Sequence, residues 1–239
     1  MLRVSLLRRV RSMKFLTLIT ASALSSVGLT AAPPSEPSQS LLSGSPQNYT
    51  AQDFSHLLGM PGFSDNALNN HFKLYQGYVA NTNLLLTTLN QLTQDGKQRT
   101  PQFQELKRRF GWEFDGMRLH ELYFQNLGGK GTLLDPRNPL AQQIARDFGS
   151  FEAWKKDFVE TGMLRGIGWS ILYVDPIEGR LINTWIGEHD MGHLTGGKPL
   201  LIMDVWEHAF MLDYGLDRAA YINAFFNNIQ WDVVSKRYL

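Results

Sequence analysis

Between Ser64 and Gly129 the apolar residues recur every three or four positions, and the pattern breaks once, at Asp95-Gly96. Leu68, His71, Tyr75, Tyr78, Leu85 and Leu89 share one stripe, which begins after the capping residue type Ser64 and runs to about Gln94. Thr100 followed by Pro101 opens a second stripe of Phe103, Leu106, Phe110, Phe114, Met117, His120 and Phe124, closed by Gly128-Gly129. Two such helices joined by so short a turn lie antiparallel, so the spacing predicts a long helical hairpin.

The period then changes. After a loop around Asp135-Pro136, residues 140–148 and 151–163 read as shorter helices. Residues 169–174 and 180–186 are rich in β-formers and flank Asp175-Pro176-Ile177-Glu178-Gly179, a natural hairpin connection; residues 199–205 read as a third strand. A single helix over about 218–237 is expected to end the chain. The class is therefore α+β: an N-terminal hairpin domain over 48–134, then a C-terminal domain over 135–239 with a three-stranded antiparallel sheet and helices. No internal repeat is visible.

Residues 1–32 carry Arg3, Arg8, Arg9, Arg11 and Lys14 and no acid, followed from Phe15 to Leu29 by an apolar run rich in small residues. That layout predicts a secretory signal, with Met13 a more compact start than Met1. The mature protein is then periplasmic or secreted, with an organellar transit peptide as the alternative. Residues 33–47, dominated by Pro, Ser, Gly and Gln, read as a flexible linker. Without the basic segment the net charge of +1 becomes about −4. A mildly acidic body with no basic stripe predicts no nucleic-acid partner, and removal of the signal leaves no membrane contact to expect.

The chain has no cysteine, which excludes disulfides, thiolate metal sites and thiol nucleophiles. Chemistry is sought among six histidines and their carboxylate neighbours. His71 and His120 each lie on the apolar face of a hairpin helix, where a hydrogen-bonded core histidine is the plainer reading of either alone. Asp204 and His208, four apart in D-V-W-E-H, fit one ion or a local pair at a helix entry. Burying all four without a cation is costly, and in combination they become candidate metal ligands. His189 and His193 lie in G-E-H-D-M-G-H, a loop that is plainly read as exposed; His56 has no informative context.

D-V-W-E-H-A at 204–209, with G-I-G-W at 166–169, D-F-G-S-F at 147–151, P-L-L at 199–201 and the tail Y-I-N-A-F-F-N-N-I-Q-W at 221–231, resembles the iron/manganese superoxide dismutases in the same order, over nearly all of 48–239. The resemblance implies one Mn or Fe ion per subunit, held by His71, His120, Asp204 and His208, with Phe124 where the family commonly has Trp. Tyr78 resembles the tyrosine beside the solvent molecule at the metal, and His189 the Gln or His that hydrogen-bonds that solvent. Glu207 resembles the glutamate that reaches a ligand histidine of the other subunit and orients it, which implies a homodimer. The family places its first ligand eight residues before the tyrosine, whereas His71 precedes Tyr78 by seven. An interval of seven keeps both on one face of a regular helix, so an unbulged helix is expected, with Asn70 the competing position. Leu74 and Met211 stand where the family pairs a His and a Tyr across the dimer, implying an apolar contact instead. Gly116 lacks the amide many iron members carry, a lean toward manganese or dual use.

The implied activity is dismutation of superoxide to dioxygen and peroxide. The alternative is a superoxide dismutase-like metal-binding protein with little turnover. A zinc hydrolase is disfavoured, since no H-E-x-x-H pattern is present.

Overall fold

The computed structural model describes residues 48–239; the signal-like segment and linker expected over 1–47 lie outside the described residues. The two apolar stripes form α1 (Asp65–Gln94) and α2 (Pro101–Gln125). Ser64 caps α1 by accepting the Ala67 amide at 3.0 Å, and Thr100 caps α2 by accepting from Phe103 at 3.4 Å. Caps of this kind contribute about 1 kcal/mol each. Contacts between the helices run in opposite senses: Asn81 reaches Glu113, Tyr75 reaches Glu121, and His71 packs on Phe124, as an antiparallel hairpin requires. Helix α1 is α-helical throughout, with His71 and Tyr78 buried on its inner face and Asn70 exposed.

Helices α3 (Pro139–Phe148) and α4 (Phe151–Gly162) precede a sheet of β1 (Gly168–Val174), β2 (Leu181–Gly187) and β3 (Lys198–Asp204). All pairings are antiparallel, in the order β2-β1-β3, so the first strand lies in the middle. Its seven residues are buried throughout, which is why it reads as a continuous apolar run rather than an alternating one. Trp154, Phe158, Trp169, Phe225 and Ile202 are fully buried, and side chains of this size contribute about 1.5–3 kcal/mol each when removed from water.

The chain ends with α5 (Glu207–Tyr214), α6 (Arg218–Asn227) and α7 (Trp231–Tyr238). The single helix expected over about 218–237 is therefore two. Asn228 breaks it: its side-chain amide donates to the Ala224 and Pro61 carbonyls at 2.8 Å each. The Gln230 amide is drawn to the Asn126 carbonyl at 2.6 Å, and the Gly129 amide takes the Asn228 carbonyl at 2.8 Å. Partners from the end of the hairpin thus replace a helical turn. No helix of the described residues is long and apolar enough to cross a membrane.

Candidate metal centre

Four elements deliver one side chain each to a common point. His71 comes from the inner face of α1 and His120 from α2, while Asp204 closes β3 and His208 sits in the first turn of α5. Asp204 is fixed twice. Its Oδ1 accepts the Trp206 amide at 2.9 Å, and its carbonyl accepts the Tyr221 hydroxyl at 2.5 Å, itself hydrogen-bonded by Tyr123 at 3.1 Å. The other carboxylate oxygen, Oδ2, is left facing three imidazoles: His71 Nε2 at 3.1 Å, His208 Nε2 at 3.2 Å and His120 Nε2 at 3.6 Å. Phe124 packs edge-on against His71 at 4.9 Å and supplies an apolar wall.

The donor atoms of these four residues all lie within 4.8 Å of one another. Nitrogen and oxygen ligands sit about 2 Å from a transition-metal ion, so opposite ligands lie about 4 Å apart, and a small contraction makes this group a coordination shell. The chemistry of His120 fits that reading. Its Nδ1 lies 2.6 Å from the Gly116 carbonyl, which only accepts, so Nδ1 carries the hydrogen and Nε2 is a bare lone pair. That Nε2 is buried without a hydrogen-bond partner and faces a carboxylate oxygen. A cation between them satisfies both, and among the described residues no donor reaches that nitrogen.

Burial lowers the pKa of His120 well below the ordinary histidine value, reinforced by the neighbouring His71 and opposed by Asp204. Burial likewise lowers that of His71, against its hydrogen bond to Asp204. Both rings are therefore neutral, as metal ligands must be. Burial works to raise the Asp204 pKa, but the His208 and His71 imidazoles outweigh it and hold the carboxyl ionised, below the usual carboxylate range.

Tyr78 and His189 stand beside this group. His189 is fully buried in spite of its loop position, with its ring stacked on Trp206 at 4.7 Å and edge-on to Trp112 at 4.5 Å. Trp169 Nε1 donates to His189 Nδ1 at 3.1 Å; the ring's one hydrogen is thus on Nε2 and is given to the Tyr78 hydroxyl oxygen at 2.8 Å. The Tyr78 hydrogen has no acceptor among the described residues. Burial, then the charges of Asp204 and Glu113, raise the Tyr78 pKa, so the hydroxyl keeps its proton at neutral pH. Tyr78 lies flat against His120, ring centres 5.1 Å apart, and Gly116 permits this: a Cβ there would stand 2.7 Å from the Tyr78 ring.

Glu207 is placed differently. It opens α5 with its side chain exposed, reaches no histidine of its own chain, and lines a surface groove of about 710 Å³ with Met163, Phe210 and Met211. Spacing alone does not reveal Trp169, which sets the tautomer of His189, or Tyr221, which holds Asp204. Both lie in the motif segments, but only the assembled fold pairs them with their targets. Trp206 likewise lies in the D-V-W-E-H run, whereas Trp112 lies in none of the motif segments.

The sequence profile of iron/manganese superoxide dismutases, C-terminal domain, matches residues 136–237. Superoxide dismutase (Mn) 2 of Haloferax volcanii is 36% identical over 179 residues, covering 74% of this chain and 88% of the relative. Superoxide dismutase (Fe) of Cupriavidus metallidurans is 37% identical over 185 residues, 75% of this chain and 90% of the relative. Superoxide dismutase (Fe) of Aquifex aeolicus is 37% identical over 186 residues, 75% and 85% respectively. Identities of 36% and 37% over 74% and 75% of the chain place it in the iron/manganese superoxide dismutase family.

Proposed function

We propose that this protein is a superoxide dismutase that converts two superoxide ions and two protons to dioxygen and hydrogen peroxide, using one Mn or Fe ion per chain held by His71, His120, Asp204 and His208. The observation that carries the reading is the bare, buried Nε2 of His120 aimed at the Asp204 carboxylate with two further imidazoles around it. Three neutral nitrogens and one carboxylate oxygen suit either metal. Such an ion, when bound, supplies the one-electron couple that takes an electron from one superoxide and returns it to the next.

The chain's own groups manage protons and access. Tyr78 holds a hydrogen with no protein acceptor, ready for a solvent or peroxide oxygen, and His189 fixes its orientation by occupying the phenolic oxygen. Phe124, Trp169 and Trp206 surround the polar atoms with ring surface that keeps bulk water away from them. Relatives named for manganese and for iron match at 36% and 37%, so similarity assigns the metal only as Mn or Fe.

The same reading makes the protein a homodimer through the α5 face. Glu207 finds no partner among the described residues of its own chain, and beside it Met211 and Leu212 are 45% and 56% exposed. An apolar strip around an unpartnered carboxylate suits a second copy that supplies an imidazole to Glu207. Export of the mature protein is read from the basic and apolar segment over 1–32, and N-terminal sequencing of the protein recovered from cells tests it.

Activity is tested by purifying the protein from cells grown with both metals, counting bound metal, and following superoxide decay. The expected result is one Mn or Fe per chain and rapid decay. Full metal occupancy without decay would overturn the dismutase reading and leave a metal-binding protein.

A further inference from the structure

His189 acts from the tip of a turn, and its own peptide is held to the protein at a single point. Gly187 and Met191 exchange both backbone hydrogen bonds, at 2.8 and 3.2 Å, which closes residues 188–190 on themselves. Glu188 sits at φ 51, a left-handed conformation that costs a non-glycine residue about 1 kcal/mol and requires compensating contacts. It has them: its amide reaches the Ile167 carbonyl at 3.1 Å, its carboxylate accepts Trp112 Nε1 at 2.9 Å, and its carbonyl accepts Trp206 Nε1 at 3.3 Å. At His189 itself, the backbone has one anchor. His193 Nε2 donates to the His189 carbonyl at 2.8 Å.

His193 is in turn held from the central strand. A carbonyl only accepts, so the His193 hydrogen is on Nε2 and its Nδ1 accepts the Tyr173 hydroxyl of β1 at 2.7 Å. The same Nε2 lies 3.6 Å from the Asp115 carboxylate of α2. His193 therefore ties the His189 peptide to the central strand. A movement of one ångström at that peptide would break the 2.8 Å bond from His189 to Tyr78 or the 3.1 Å bond from Trp169.

We propose that His193 is a positioning residue for superoxide turnover: by clamping the His189 carbonyl to Tyr173 it keeps the His189 N–H on the Tyr78 oxygen. This rests on the reading of His189 and Tyr78 given above. Residues that orient the groups around a metal typically change its behaviour by about 10–100-fold when removed, without being ligands.

The test compares the metal-loaded wild type with His193→Ala, His193→Gln and Tyr173→Phe, measuring turnover, bound metal, reduction potential and thermal midpoint. His193→Ala is expected to lower kcat about tenfold and shift the potential with metal content unchanged. His193→Gln, which can donate to the carbonyl and accept from Tyr173, should restore both. Tyr173→Phe, which removes only one hydroxyl, should move both in the same direction by a smaller amount and serves if the alanine variant does not fold. Wild-type kcat and potential in His193→Ala would overturn the proposal even with a lowered thermal midpoint, because a merely structural histidine would change only that. Metal loss in His193→Ala would also overturn it. His189→Leu separates the two readings: unaltered turnover there refutes the role of His189, whereas slowed turnover there with a normal His193→Ala refutes only the clamp.

Discussion

Tyr78 receives the only N–H on the His189 ring, because the Trp169 indole, a donor that cannot accept, occupies the other ring nitrogen. The proton inventory beside the proposed metal centre is thereby set by an indole that is not among the four converging side chains. Replacing Trp169 by Phe keeps most of the buried ring and removes the donor. The expected result is metal retained, stability lowered by about 1–2 kcal/mol, and kcat reduced about tenfold, measured by metal analysis, denaturant unfolding and stopped-flow decay of superoxide.

The proposed first ligand, His71, is the position at which this chain departs from its family's spacing. His71 lies inside the cluster and Asn70 is exposed, its side chain bonded back to Asn66 at 2.8 Å. His71→Ala is expected to abolish metal retention, whereas Asn70→Ala should leave metal content and activity unchanged and alter stability by no more than about 0.5 kcal/mol. Metal loss from the asparagine variant with retention in the histidine variant would move the ligand by one residue and require a bulge in α1.

Gly116 makes room for a ring. In a helix interior Gly→Ala ordinarily gains about 1 kcal/mol. Here the added methyl would stand 2.7 Å from the Tyr78 ring, and overpacking of that kind costs about 1–3 kcal/mol. The clash therefore outweighs the propensity gain, and Gly116→Ala should lower the denaturant midpoint while displacing Tyr78 and slowing turnover.

Burial drives the His189 pKa down to about 4, and it lowers those of His71 and His120. Unfolded, each histidine titrates near its ordinary value of about 6.5. Between those limits the unfolded chain binds more protons than the folded one, so stability is full above about pH 6.5 and declines as the pH falls. For His189 the loss continues to about pH 4 and amounts to about 1–3 kcal/mol. Urea midpoints of the metal-free protein at descending pH should show this decline, and His189→Gln should make it shallower. A midpoint independent of pH over that range would contradict the neutral buried rings.

Met211 occupies the position where a polar cross-dimer partner is usual in the family, and it is exposed in the single chain. If two copies meet there through an apolar contact, Met211→Asp places a charge in it and should convert dimer to monomer at micromolar concentration. Light scattering showing an unchanged mass would dispose of that contact.

What was legible in the sequence was whatever depends on local periodicity. The hairpin could be read because Leu68 to Leu89 and Phe103 to Phe124 repeat at helical intervals, and the central strand because its run is continuously apolar. The final helix is not legible because Asn228 is an unremarkable residue in a helical pattern until the Pro61 carbonyl, 167 positions away, accepts its side-chain amide and the Gly129 amide donates to its carbonyl. His71, His120, Asp204 and His208 were each ambiguous alone, and a chemical pattern emerged only from their combination. His193 reads as part of an exposed loop, since nothing local shows that Tyr173 and a backbone carbonyl hold its two nitrogens. Tautomers, such as that of His189, are a property of the assembled partners and have no signature in the chain.

The most direct measurement is anomalous diffraction from crystals of the purified protein at the manganese and iron absorption edges. The account predicts a single ion about 2.1 Å from the Nε2 atoms of His71, His120 and His208 and from Oδ2 of Asp204. An ion bound elsewhere, or a fully folded protein whose four side chains enclose no manganese or iron after growth with both, would contradict it.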